Sequence, residues 1–184
     1  QDEIDKRYGL SEGLDPADPF FPLQRQIRIQ RFLGYDYVRC GLDGFDMPLK
    51  RMTIQDTAIL ERDGGRRFME EHKGPITNWE EFERYPWPDP ADWSTETLEW
   101  YSENLPEEMC IIASAFAHFA EHLTWLMGYE TLCYALYDQR DLVTAISQRL
   151  TEINREVLKR LLAFDRVKLT WGSDDMGFKS GTLI

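Results

Sequence analysis

The longest regular pattern in the chain lies between Leu142 and Phe164. Apolar residues stand at Val143, Ile146, Leu150, Ile153, Val157, Leu161 and Leu162. Steps of three, four, three, four, four and one trace a helical stripe. Asp141 is placed to cap this helix and Asp165 to close it. Shorter patterns predict further helices. One runs from Leu23 to Leu33, with Ile27, Phe32 and Leu33 turned to the core and Gly34 as its stop. Another spans Trp79–Arg84, capped by Asn78 with Glu80 and Glu81 near its positive end. Three more are expected at about Thr95 to Asn104, Phe116 to Met127 before Gly128, and Glu130 to Tyr137.

Three short apolar and β-branched runs read as buried strands: Tyr35 to Cys40, Met109 to Ser114 and Val167 to Trp171. The segment from Met52 to His72 alternates weakly and is broken by Asp63-Gly64-Gly65, which predicts a mostly polar β-hairpin. Residues 1–18 are polar and turn-rich and predict an extended lead-in. Tyr85-Pro86-Trp87-Pro88-Asp89-Pro90 reads as a rigid aromatic linker.

Strands that alternate with helices pair in parallel through right-handed crossovers. Three main strands are too few for a closed barrel and enough for about half of one. The predicted fold is therefore α/β, a partial (β/α)8 TIM barrel with its first strands and helices only. It would occupy residues 19–184, with a hairpin and helical excursion at about 45–105. The opening Gln1 and the stop at Ile184, with no helix after the last loop, add the expectation of an N-terminal fragment.

Composition narrows the function classes. A hydrophobic content of 42% over 184 residues fits one globular domain with a real core. The net charge of −12 disfavours nucleic acid and anionic membranes, both of which need phosphate neutralisation. No apolar run reaches spanning length and no signal peptide opens the chain. Cys40, Cys110 and Cys133 are widely spaced in apolar contexts, without a CxxC pair, and a reducing cytoplasm is the expected setting.

Candidate chemistry concentrates where strands end. Asp174 and Asp175 follow the third strand inside the loop Gly172 to Gly181, the position where parallel α/β folds build their pockets. They are the candidate catalytic residues, as a general acid/base or as an anchor for a cation or a substrate hydroxyl, with one of the two reaching the pocket, against the plainer reading of one helix cap and one solvated carboxylate. His118 and His122 are spaced i, i+4 near the end of the second strand. That spacing suits a metal, but no third ligand accompanies them, so no metal site is assigned. His118 remains as a substrate contact, together with Asp36, Phe178 and Lys179. Phosphate-binding glycine loops and nucleophile-elbow motifs are absent. The aromatic residues Trp79, Tyr85, Trp87, Trp93 and Trp100 read more readily as packing wedges than as a ligand groove.

Several phrases in order carry a family resemblance. They are Leu33-Gly34-Tyr35-Asp36-Tyr37-Val38, Gly74-Pro75-Ile76 with Trp79-Glu80-Glu81-Phe82, and Tyr85-Pro86-Trp87-Pro88-Asp89-Pro90. Further on stand Trp125-Leu126-Met127-Gly128-Tyr129-Glu130, Asp138-Gln139-Arg140-Asp141-Leu142-Val143 and Asp174-Asp175-Met176-Gly177-Phe178. From about residue 20 onward the chain resembles the uroporphyrinogen decarboxylase superfamily, on the branch allied with cobalamin-dependent methyltransferases. The resemblance implies a (β/α)8 barrel with its pocket at the carboxyl strand ends. It implies transfer of a methyl group between a small substrate or thiol and a corrinoid protein. The family's zinc motif, a His-x-Cys pair and a later Cys, has no match here and would lie beyond Ile184. Arg140 stands where the family often has proline, and Ser114-Ala115-Phe116-Ala117 replaces a more glycine-rich loop.

Two other functions compete. One is porphyrinogen decarboxylation without a cofactor, in which a carboxylate such as Asp174 or Asp36 stabilises a protonated pyrrole. The other is a truncated barrel that only folds or binds a partner. The expected partners are a small-molecule substrate and a corrinoid protein, with self-association through the open barrel edge.

Overall fold

The computed structural model describes residues 1–44, 46–54, 66–70, 72–114, 118–174, 177–178 and 180–182. In chain order they form α1 (Asp2–Tyr8), α2 (Phe21–Phe32), β1 (Tyr37–Cys40), β2 (Arg51–Ile54), β3 (Arg66–Met69) and α3 (Trp79–Arg84). After a 3-10 turn at Pro90–Asp92 follow α4 (Glu96–Asn104), β4 (Cys110–Ser114), α5 (Phe119–Met127), α6 (Tyr129–Asp138) and α7 (Arg140–Leu161). The chain ends in β5 (Val167–Trp171), β6 (Gly177–Phe178) and β7 (Gly181–Thr182). The fold is mixed α/β, with seven α-helices among the described residues and one small parallel sheet.

Two compact units share the chain. The first is Gln1–Phe45, Pro90–Ala115 and Glu156–Gly172; the second is Asp46–Asp89, Phe116–Arg155 and Ser173–Ile184.

The first unit is built on the sheet β1-β4-β5, parallel throughout. Its strands are the three apolar runs, because β-branched and aromatic residues fit a pleated, half-buried surface. One face carries Val38, Ile111 and Ala113, all fully buried, with Val167 beside them. The register shifts between Ile111 and Ile112: Ile111 pairs with Val167, and Ile112 already pairs with Leu169. Lys168 is thus the extra residue of a bulge, which moves Leu169 and Trp171 to the opposite face. There they are 52% and 51% exposed, and the Arg39 guanidinium lies 5.7 Å from the Trp171 ring centre. Among the described residues no further strand pairs with β1 or β5.

The lead-in is not extended. Residues 2–8 form α1, whose acidic first turn suits the positive helix end. Arg25 of α2 reaches Asp2 at 2.7 Å and also pairs with Asp5, while Ser11 N–H donates to Asp5 at 2.8 Å. Local polarity hid a segment held by long-range charge pairing. In α2 itself, Phe32 and Leu33 are exposed, and Ile29 takes the buried place beside Ile27. Gly34, at φ 81°, ends the helix as expected.

The second unit holds the antiparallel pair β2–β3, from Arg51 opposite Met69 to Ile54 opposite Arg66. The expected turn at Asp63-Gly64-Gly65 lies outside the described residues. Asn78 caps α3, its side chain accepting from Glu81 N–H at 3.0 Å. Phe82, Tyr85 and Trp87 form an edge-on aromatic cluster, with Tyr85 and Trp87 centroids 4.8 Å apart. The long helix starts two residues early, so Asp141 sits in its first turn. The stripe at Val143, Ile146, Leu150, Ile153, Val157 and Leu161 is buried, Leu142 joins it, and Leu162 is exposed.

A close backbone approach fixes α5 in this unit. Gly74 N–H donates to Met127 O at 2.8 Å and Ile76 N–H to Leu126 O at 2.9 Å. A Cβ on Gly74 would stand 2.2 Å from the Leu126 carbonyl oxygen and 2.7 Å from Gly128 N. Both are backbone atoms and cannot rotate away. Gly74→Ala should therefore destabilise the protein by about 1–3 kcal/mol or more. Urea melts of this variant beside Gly13→Ala, where a Cβ meets nothing within 4 Å but φ is +79°, separate the clash from glycine's conformational freedom.

Candidate functional site

The candidate site grows from the amino end of α5. His118 is its N-cap residue, with φ 78° and ψ 46°. Among the described residues it is the one non-glycine residue with positive φ. An N-cap residue ordinarily sits in the β region and bonds the free N–H groups of the first turn with its own side chain. His118 does neither. Its Nδ1 is turned to the Glu121 carboxylate, one helical turn on.

The cap comes instead from a distant segment. Asp174 Oδ2 accepts from Ala120 N–H at 2.6 Å, and Oδ1 accepts from Glu121 N–H at 3.1 Å. These are two of the orphan donors of α5, and a carboxylate is the favoured anion at a helix amino end. The partners are 54 and 53 residues apart in sequence. His118 follows β4 by four residues, and Asp174 follows β5 by three. The two bonds therefore tie together the segments that leave the carboxyl ends of neighbouring parallel strands.

His122 lies behind this contact and is 3% exposed. Its Nδ1 is 2.7 Å from the His118 carbonyl oxygen, so Nδ1–H donates and Nε2 is the lone-pair nitrogen of the neutral ring. Burial pushes its pKa below the usual histidine value of 6.5, and the His118 ring works in the same direction. The bond to the His118 carbonyl and the charges of Asp174 and Glu121 offset part of that shift. The Trp125 indole stands edge-on to His122 at 4.9 Å between centroids and lies 6.0 Å from His118.

The sequence-derived candidates fare unequally. Asp174 and His118 come together through α5. Asp174 performs the capping job first, and any substrate contact must use its remaining lone pairs. Asp36 stands exposed at the amino end of β1, opposite to the strand ends where parallel folds build pockets, and in the other unit. Phe178 belongs to β6, paired with β7. Asp175 and Lys179 lie outside the described residues. The sequence reading passes over Glu121 and Trp125 as site residues. Their spacings of three and seven from His118 place all three on one helix face.

Among the described residues no group of three or more His, Cys, Asp or Glu side chains is arranged to hold a metal ion. The three cysteines are free thiols. Burial, with the Asp43 charge second, pushes Cys40 up to about 12, so it is an inert thiol at neutral pH. Open depressions of about 400 Å³ follow the outer face of α7, lined by Val143, Thr144, Ser147 and Arg155 among others, and contain none of the site residues. No helix of the described residues is long and apolar enough to cross a membrane. No protein-family model, curated protein or solved structure matches this chain.

Two measurements follow. Asp174→Ala should cost about 1 kcal/mol through loss of the cap, and Asp174→Asn, whose single acceptor oxygen can keep only one of the two bonds, a smaller part of that. Denaturant melts of both variants check this; equal losses would mean that the charge, not the cap, matters. The second concerns pH. His122 is held neutral in the folded state, while the unfolded chain binds a proton below about 6.5. Its contribution is complete above 6.5 and is lost as pH falls towards the lower folded value. Stability should decline as pH falls below about 6.5, ahead of the carboxylates, and His122→Gln should flatten that decline.

Proposed function

We propose that the chain is part of an α/β-barrel enzyme of the uroporphyrinogen decarboxylase type, on the methyl-transfer side of that superfamily. The carrying observation is the joining of the post-β4 and post-β5 segments by Asp174 and the amino end of α5. A parallel sheet in the order β1-β4-β5 supports the reading, because consecutive strands then leave their following segments on one side. So does the face bearing Leu169 and Trp171, which a completed barrel would enclose. On this reading the outer edge of β5 takes the next barrel strand, or a second copy of the chain when none is present.

His118 is the proposed substrate contact, and Asp174 holds the helix that carries it. The net charge of −12 suits a neutral or cationic methyl donor better than a polycarboxylate. The described residues do not fit a zinc site, since they gather no set of three ligands. No step is therefore assigned to a metal. The protein's own part is to orient a small acceptor, such as a thiol, at His118.

The test is to incubate the protein with methylcobalamin and a small thiol and follow methyl thioether and cob(I)alamin together. Turnover should appear, and His118→Ala should lower kcat/KM by about 10²-fold or more. Conversion of uroporphyrinogen with carbon dioxide release would move the assignment to the decarboxylases. Inactivity in both assays would favour a barrel piece that only folds or binds a partner.

A further inference from the structure

The cluster at α5 contains an arrangement that the methyl-transfer reading does not require. His118 is half exposed, with 41% of its side chain open, while the carboxylate it faces is 28% exposed. Its Nδ1 is engaged by Glu121, and its ring stands beside Trp125 and His122 at 6.0 Å and 6.3 Å. Among the described residues Nε2 has no hydrogen-bond partner. The second imidazole, His122, is buried with Nδ1 bound to a carbonyl, so the two histidines of this helix face opposite situations.

Two features show that the imidazole is directed rather than merely present. The backbone of His118 adopts the left-handed region, which is uncommon for a residue with a Cβ and persists only where surroundings fix it. Capping by Asp174 is what makes this possible, because it relieves His118 of the bonds an N-cap residue normally makes. His72 also pairs with a glutamate, Glu130 at 2.9 Å. There the side chains are 81% and 56% exposed, where water competes for both partners.

We propose that His118 and Glu121 form a carboxylate–histidine proton-transfer dyad, with His118 Nε2 as the atom that takes a proton from a thiol or hydroxyl of a small substrate. Glu121 is the positioning residue: accepting from Nδ1–H, it places the lone pair on Nε2 and stabilises the imidazolium that forms. In the step the substrate S–H or O–H bond breaks, its electron pair stays on sulfur or oxygen, and the proton bonds to Nε2. Nδ1–H continues to donate to Glu121, which remains a carboxylate. The proposal rests on the barrel-enzyme reading only in taking the open side of His118 to be the substrate side.

The test needs no turnover. Long-range proton–nitrogen NMR of the protein with 15N-labelled histidine reads the tautomer of each neutral ring. The three histidines are assigned from His72→Gln, His118→Gln and His122→Gln. His118 should be the Nδ1–H tautomer in the wild-type protein and revert to the Nε2–H form that free imidazole side chains prefer in Glu121→Ala. His122, bonded to a carbonyl, should remain Nδ1–H in both and reports that the helix is intact. Diethyl pyrocarbonate, mapped by mass spectrometry, should modify His118 and spare His122. An Nε2–H His118 in the wild-type protein, or one unmoved by Glu121→Ala while His122 holds, would overturn the dyad. So would a His118 that the reagent does not reach. These results are independent of the methylcobalamin assay: failure there refutes the methyl-transfer reading, and a misplaced proton here refutes the dyad.

Discussion

Strand β4 is the constraint on which the first unit depends. Among the described residues it alone has a strand on both sides, β1 from Tyr37↔Cys110 to Cys40↔Ala113 and β5 from Ile111↔Val167 to Ser114↔Trp171. Its Ile111 and Ala113 are fully buried on one face. Parallel pairing cannot be made by a tight turn, so each neighbour must be reached by a long connection. Those connections carry five of the seven helices among the described residues and the antiparallel β2–β3 pair. One short apolar run thereby decides where the long excursions of the chain begin and return.

A second long-range contact organises the candidate site. Helices need partners for their first N–H groups, and the nearest available residue usually supplies them. Asn78 does so for α3 within a single turn. At α5 the local residue is His118, whose backbone and ring are committed elsewhere, and Asp174 supplies the bonds. The same carboxylate thus stabilises a helix and fixes the start of the segment that bears the histidines, Glu121 and Trp125.

Burial sorts the two histidines into different chemical types. His122 has lost water and is kept neutral by desolvation. His118, one turn earlier, keeps solvent on one side and a carboxylate on the other. Sequence spacing places them on the same face but gives no sign of this difference, because exposure depends on what other segments cover.

The chain's own pattern determined its elements. Apolar periodicity located the long helix to within three residues at either end, and β-branched and apolar runs located the three parallel strands. Gly34 and Asn78 act through bonds and dihedrals of their immediate neighbourhood, so their roles were legible. Contacts between distant segments were not. Only the folded chain shows Arg25 pinning α1 through Asp2 and Asp5. The bulge at Lys168 also exists only against β4, and it separates Val167 from Leu169 and Trp171 although strict alternation would group them. In sequence Asp174 offers an acid/base role or a cap for a helix after it, and it caps the earlier helix α5 only when the fold brings that helix to it. Periodicity is a property of local geometry; capping, bulging and burial require a partner that the linear sequence does not specify.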